Sequence, residues 1–200
     1  MKKFIPFILI LLLFSSCSTF FYTPEDRNYL SSSKKCSRNI YALGVKDSYE
    51  LEKFFMANNP KADNKKVRRL AGYYVSEARL EGINSDIAFV QMCLETGFLR
   101  FGGLVKPWMH NYCGLGSTGR KNPGDRFPSE VIGVRAHIQH LHAYATPAGK
   151  KLKNRLVDKR YSYVQPRGKA PTVWKLTGTW SVDRNYGKKL DSLLNQLEKY

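Results

Sequence analysis

The sequence predicts a mainly α-helical domain in which a long loop rich in Gly and Pro, or a small hairpin, lies beside a cleft. Apolar residues recur at helical spacing in segments around 62–81, 86–95, 134–145 and 190–197. Residues 97–128 are instead rich in Gly, Pro and Asn, yet keep five aromatic side chains. Because long loops inside compact domains are usually functional or disordered, and aromatic content argues against disorder, this loop is a functional candidate.

The first residues have the pattern of an export signal. Lys2-Lys3 precedes an apolar run of about eleven residues, too short for a membrane span, and Ser15-Ser16-Cys17 follows. Phe14-Ser15-Ser16-Cys17 resembles the lipobox of bacterial lipoproteins, which implies a signal peptide over residues 1–16 and a lipid anchor on Cys17. We therefore expect a membrane-anchored lipoprotein of the cell envelope that faces the periplasm or the cell surface. Ordinary secretion, with an incidental Cys17, is the alternative.

Residues 17–46 are predicted to be a tether and residues 47–200 a single domain. The tether prediction rests on a polar segment, Ser31-Ser32-Ser33-Lys34-Lys35, without apolar periodicity. With Cys17 lipidated, three cysteines stay free, Cys36, Cys93 and Cys113, an odd number that does not suggest a disulfide framework. A bridge between Cys93 and Cys113 stays open. We expect a monomer.

A strong positive charge indicates an anionic partner. The formal net charge of the 200-residue chain is +17. No nucleic-acid recognition motif is present, so we expect no nucleic-acid partner. An anionic cell-envelope polymer such as peptidoglycan fits both the charge and the export signal.

Capping residues predict where the helices begin and end. A capping box over Asp47-Ser48-Tyr49-Glu50 opens a short helix that ends near Asn58-Asn59-Pro60. A long helix over about 62–81 stops at Gly82, and Asn84-Ser85-Asp86 caps the next one, which Gly97 ends.

The second half of the chain is predicted to hold three more helices, with an irregular segment before the last one. One helix carries Val134, Ile138, Leu141 and Ala145, and Thr146-Pro147 is expected to cap and open a further helix. Residues 161–181 are expected to be irregular. The chain closes on a helix with Leu190, Leu193/Leu194 and Leu197 on one stripe.

Glu95 is the leading catalytic candidate. It ends an apolar helix and is followed at once by Thr96-Gly97, which puts a lone carboxylate at a cleft edge. A half-buried carboxyl loses hydration, so its pKa rises and it can hold a proton for delivery to a leaving group. This is how glycosidases build a general acid. The alternative is a solvated helix residue.

The chain from about residue 62 to 200 resembles the bacterial glucosaminidase family, glycoside hydrolase family 73. Three blocks carry the resemblance: residues 77–97, which end in Glu95-Thr96-Gly97; Asn111-Tyr112-Cys113-Gly114-Leu115; and Trp180-Ser181-Val182-Asp183-Arg184-Asn185-Tyr186-Gly187. Cys113 departs from the usual Phe, and in the third block only Asp183 and Tyr186 match strictly.

The resemblance implies a lysozyme-like fold, peptidoglycan glycan strands as substrate and cleavage after N-acetylglucosamine by an endo-β-N-acetylglucosaminidase. It implies Glu95 as general acid and an assisting role for Tyr186, with a core aromatic as the alternative for Tyr186. Further substrate-binding candidates are Asn111, Tyr112, Gly114, Trp108, Trp180 and Asp183, and the aromatic ones among them offer faces on which sugar rings stack.

A second catalytic carboxylate is harder to identify. Asp125 and Glu130 are the weak candidates, and inverting, retaining and acetamido-assisted mechanisms stay open. His110, His137, His140 and His142 lack acidic or Cys partners at ligand spacing, so we expect no metal and no cofactor.

Two other functions compete with glycoside hydrolysis. A lytic transglycosylase has the same fold and a catalytic Glu but closes an anhydro ring. A non-catalytic wall-binding lipoprotein would have kept the fold and lost turnover.

Overall fold

Five α-helices form the frame of residues 35–200, the part of the chain that the computed structural model describes. They are α1 (Ser48–Asn58), α2 (Asn64–Glu81), α3 (Ser85–Thr96), α4 (Glu130–Ala145) and α5 (Tyr186–Leu197). Three short 3-10 helices lie over Pro107–Met109, Tyr161–Tyr163 and Val173–Leu176. Within these residues the only β-structure is three isolated bridges, so the predicted mainly α class is confirmed.

The caps explain the boundaries of the first three helices. The Asp47 carboxylate accepts hydrogen bonds from the backbone N–H groups of Tyr49 and Glu50, and the Glu50 carboxylate accepts one from Asp47 in return. Gly82 and Gly97 end α2 and α3 with φ of 70° and 57°, a left-handed conformation that favours glycine. The predicted capping box and both glycine stops are thus present.

Helix α3 lies at the centre of the domain. Its residues from Ser85 to Cys93 are all buried, and it packs against α2, α4 and α5. Burial on all sides is why its sequence is apolar around its circumference instead of along one stripe. The helix that carries Glu95 is therefore held rigidly by the surrounding core.

Residues 36–46, which the sequence places in a tether, pack against the domain. Cys36 and Ile40 are buried, and Arg38 forms a 2.7 Å ion pair with Asp191 on α5. The backbone N–H groups of residues 45 and 46 donate to the Asp86 carboxylate at 2.9 and 3.2 Å. The folded part of the chain thus starts at least as early as Cys36, because scattered apolar residues and side-chain hydrogen bonds anchor a segment that has no regular periodicity.

The helix expected after Thr146-Pro147 is absent, and that prediction was wrong. Helix α4 ends at Ala145, and the next helical residues are the short 3-10 turn at Tyr161–Tyr163. The Thr146 hydroxyl donates back to the His142 carbonyl at 2.7 Å, so this residue closes α4 and does not open a new helix. The segment from residue 147 to 160 is irregular.

The long loop over residues 97–128 also lacks regular structure, apart from the turn at Pro107–Met109 and an isolated bridge between Gly119 and Asn122. Cys36, Cys93 and Cys113 are free thiols. Among residues 35–200, none of the helices combines the length and the apolar character that crossing a membrane requires.

Candidate active site

Glu95 lies at the C-terminal end of α3 and lines a cleft of about 340 Å³. The walls come from the end of α3, the long loop and the segment before α5, with Phe101, Val105, Asn111, Cys113, Gly114 and Trp180 among the lining residues. The Glu95 residue is exposed on its cleft side, whereas its carboxyl lies against Tyr186 and Trp180 and is partly shielded from water there. The volume of the cleft is at the lower end of the range of ligand pockets.

Two side-chain donors converge on one oxygen of Glu95. The Tyr186 hydroxyl and the Trp180 indole N–H, the latter at 3.2 Å, both donate to Oε1. Loss of hydration raises the pKa of the Glu95 carboxyl above its ordinary value, and these two hydrogen bonds partly offset that rise. Glu95 therefore keeps its proton to a higher pH than an ordinary glutamic acid.

Tyr186 begins α5 and is only 5% exposed. Burial and then the neighbouring Glu95 charge raise its pKa well above the usual range, so the phenol stays protonated and donates. The turn before it is shaped by Asp183, whose carboxylate accepts hydrogen bonds from Asn185 N–H at 2.9 Å and from Lys189 Nζ at 2.6 Å. Asp183 was expected to bind substrate, but it does not line the cleft, and its carboxylate holds the turn that precedes Tyr186.

Trp180 has a backing of three aromatic rings. The ring centroids of His140, Tyr144 and His137 lie 5.1, 5.2 and 5.9 Å from that of Trp180. His140 is itself held by a 2.7 Å contact between Nδ1 and the buried Asp158 carboxylate. This support fixes the indole while part of it lines the cleft, the arrangement that a sugar-stacking platform needs.

The block around Asn111 shapes the floor of the cleft. The Asn111 amide donates to the carbonyls of Leu115 and Asp125 at 2.8 and 3.0 Å, and its carbonyl accepts from Leu115 N–H at 3.0 Å. Asn111 is 1% exposed, so its amide is committed to holding the loop, although it touches the cleft. Gly114 lines the cleft with φ of 73°.

Tyr112 is fully buried and does not offer a face to a ligand. The prediction that Tyr112 binds substrate was wrong, because its ring lies in the main core cluster. Its hydroxyl has no hydrogen-bond partner. Trp108 is 59% exposed, with the Arg126 guanidinium 5.1 Å from its ring centroid, but it is not among the residues that line the cleft.

Neither predicted second carboxylate reaches the cleft. Glu130 makes a two-pronged ion pair with Arg69, at 3.0 and 3.1 Å. The Asp125 carboxyl lies against Gly116, where a Cβ would stand 3.0 Å from it, and its Oδ2 is buried without a partner. Among the described residues that line the cleft, Glu95 is the only carboxylate.

Behind Glu95 lies a set of buried polar residues that the sequence patterns did not predict. Gln91 lies one turn earlier on α3 and donates to the Tyr186 oxygen at 2.8 Å, and its carbonyl meets His137 Nε2 at 3.0 Å. The available signal was Gln91 within the apolar run from Ile87 to Leu94, since an amide that such a run buries needs hydrogen-bond partners. Within residues 35–200, no group of three or more His, Cys, Asp or Glu side chains is arranged to hold a metal ion.

Comparison with known proteins assigns this sequence to a family. A protein of Borreliella burgdorferi described as uncharacterized is 40% identical over 161 residues, which cover 80% of this chain and 78% of that protein. No solved structure matches. The family model described as mannosyl-glycoprotein endo-beta-N-acetylglucosaminidase matches residues 71–199, a span that includes Glu95, Trp180 and Tyr186. The chain therefore belongs to the glucosaminidase family, and this membership supports a glycoside hydrolase of the peptidoglycan-hydrolase type.

Proposed function

We propose that this protein is an endo-β-N-acetylglucosaminidase that hydrolyses the glycan strand of peptidoglycan after N-acetylglucosamine. Glu95 protonates the oxygen of the leaving sugar. The observation that carries the proposal is the placement of Glu95 at the cleft with Oε1 held by Tyr186 and Trp180, in a chain of this family.

The raised pKa of Glu95 suits a general acid. Desolvation keeps the carboxyl protonated further up the pH scale, and proton delivery at the departing oxygen avoids an alkoxide leaving group. Activity should therefore fall on the alkaline side as Glu95 ionises.

The lack of a second carboxylate in the described cleft lining favours participation by the substrate. The carbonyl oxygen of the 2-acetamido group attacks the anomeric carbon while the bond to the leaving oxygen breaks and that oxygen takes the Glu95 proton. Water then adds to the anomeric carbon, gives its proton to the Glu95 carboxylate and releases the acetamido group. This route retains the anomeric configuration and uses Glu95 as acid and then as base.

The same lone carboxylate also favours a second candidate, a lytic transglycosylase. There a hydroxyl of the substrate closes an anhydro ring in place of water. Mass spectrometry of purified peptidoglycan after digestion separates the two: reducing-end N-acetylglucosamine supports the hydrolase, and anhydromuramyl ends support the transglycosylase. Without soluble fragments of either kind, the non-catalytic wall-binding alternative takes their place.

We also propose that lipid on Cys17 anchors the protein to a membrane of the cell envelope. Cys17 lies outside the described residues, and the support is the lipobox-like sequence. Cys17→Ser should move the protein from the membrane fraction to the soluble fraction. Unchanged membrane association of this variant contradicts the proposed lipid anchor.

A further inference from the structure

A chain of buried hydrogen bonds runs from the core to Glu95. The Tyr74 hydroxyl on α2 meets Nδ1 of His137 on α4 at 2.9 Å, and His137 Nε2 meets Gln91 Oε1 at 3.0 Å. Gln91 Nε2 then donates to the Tyr186 oxygen at 2.8 Å, and Tyr186 donates to Glu95 Oε1. Tyr74, His137 and Gln91 are all 0% exposed, so water does not compete for these groups.

The end of the chain at Tyr74 sets its direction. The Tyr74 hydroxyl is fully buried, and His137 Nδ1 is its hydrogen-bond partner. If His137 carried its proton on Nδ1, the Tyr74 O–H would be left in the core without an acceptor, which is costly. Tyr74 therefore donates to His137, and His137 uses Nε2–H to donate to Gln91.

The imidazole of His137 is neutral, so it has a single N–H group, which it donates to Gln91. Burial, and then the neighbouring His140, lower the pKa of His137 to about 3. The ring contacts Tyr74 from α2, Gln91 from α3 and Trp180 from the segment before α5, and none of these three carries a charge. A neutral imidazole with one donor and one acceptor transmits the orientation of Tyr74 to Gln91.

We propose that Tyr74, His137 and Gln91 are positioning residues, which orient the hydrogen bonds of this series in one direction so that the Tyr186 hydroxyl donates to Glu95 Oε1. The catalytic proton of Glu95 is then carried by Oε2. The catalytic part of this inference rests on the proposed function. Oε1 already accepts from Tyr186 and Trp180, and the fixed amide of Gln91 prevents the Tyr186 hydroxyl from turning its proton away. The acid is thereby presented to the substrate from one defined oxygen.

Loss of the hydrogen bond between Tyr74 and His137 should change how the enzymatic activity depends on pH. The groups that face Glu95 are Tyr186 on α5, Trp180 and the Cys113 thiol of the loop. Hydrogen bonds to a carboxylate favour its ionised form, so a weaker Tyr186 donor raises the pKa of Glu95. The alkaline limb of the activity profile then moves to higher pH, and less precise orientation of the acid lowers kcat.

Tyr74→Phe removes the hydrogen bond to His137 at the far end of the hydrogen-bond chain. It keeps the aromatic ring, which packs edge-on against Phe89 with 5.6 Å between the ring centroids. Tyr73→Phe is the matched control, because it makes the same change one residue earlier on α2 and its hydroxyl is not part of the chain. With purified peptidoglycan as substrate, Tyr74→Phe should move the alkaline limb upward and lower kcat by about two- to tenfold, the loss expected for one neutral hydrogen bond. Tyr73→Phe should change neither. Equal profiles of the two variants overturn the inference.

A spectroscopic measurement tests the direction of the chain without any activity. In the wild-type protein with ¹⁵N-labelled histidine, His137 should show a protonated Nε2 and a bare Nδ1 across about pH 5–8, the range in which an ordinary histidine changes charge. A proton on Nδ1, or a charged ring in this range, overturns the inference even when Tyr74→Phe folds poorly. The proposed function fails separately, if Glu95→Gln keeps its activity while His137 has the predicted tautomer.

Discussion

Substitution of Gly133 by Ala tests how closely α4 approaches the loop that forms the cleft floor. A Cβ at Gly133 would lie 1.8 Å from the His110 carbonyl oxygen and 2.9 Å from its carbonyl carbon. Contacts under 3.0 Å require something to move, and here the obstacle is backbone that has no alternative rotamer. The neighbouring Asn111 is fixed by its own hydrogen bonds, so the loop has little freedom to retreat.

The expected magnitude combines two opposing effects. Ala in place of Gly favours an α-helix by about 1 kcal/mol, whereas overpacking costs about 1–3 kcal/mol and more when backbone must shift. We expect Gly133→Ala to lower the free energy of unfolding by about 2 kcal/mol or more. For a domain of this size that corresponds to a fall in Tm of roughly 4–8 °C. Hydrolysis should also fall, since the displaced loop borders Glu95.

Gly72→Ala on α2 is the matched control, because nothing lies within 4 Å of its added Cβ. It should raise the free energy of unfolding by up to about 1 kcal/mol, from helix propensity alone. Thermal and urea unfolding of both variants measure the difference. Gly133→Ala with a stability equal to or above that of Gly72→Ala would refute the close approach of α4 to the loop.

Three further predictions follow from the contacts and the charge. Tyr186→Phe removes a donor to the Glu95 carboxylate, so the pKa of Glu95 should rise, the alkaline limb of the pH profile should move upward, and kcat should fall about tenfold or more, as for loss of a hydrogen bond to a charged group. Glu81→Ala leaves the backbone N–H groups of Lys153 and Asn154 without their acceptor, and urea unfolding should show a loss of about 2 kcal/mol; an unchanged midpoint contradicts this. With a formal net charge of +17, binding to insoluble peptidoglycan should weaken steeply between about 50 and 200 mM salt, and a flat salt response in a pelleting assay rules out the electrostatic contribution.

Local signals in the sequence were sufficient for most helices and for the position of Glu95. Caps act within three or four residues, so Asp47, Gly82, Asn84 and Gly97 could be read directly from the chain. Thr146-Pro147 shows the limit of such signals. A Thr before a Pro is compatible with either end of a helix, and here the hydroxyl bonds back to the preceding turn.

Contacts between distant segments could not be predicted. The packing of residues 36–46 depends on Asp86, about 40 residues away, and on the last helix. Likewise, the chain behind Glu95 joins residues of α2, α3, α4 and α5, whose spacing in the sequence carries no common period. The burial of Tyr112 could not be predicted for the same reason, since only the folded loop shows which aromatic rings turn toward the core.

The most direct test of the central claim is the hydrolysis of purified peptidoglycan by Glu95→Gln beside the wild-type protein. The glutamine keeps an Oε1 acceptor for Tyr186 and Trp180, so the variant should fold, bind the wall and have an unchanged or slightly higher Tm. The glutamine amide is not acidic enough to protonate the leaving oxygen. Because general acid catalysis commonly contributes about 10²–10⁴-fold, release of fragments should fall by at least that range. Near wild-type hydrolysis by folded Glu95→Gln would contradict the assignment of Glu95 as the general acid.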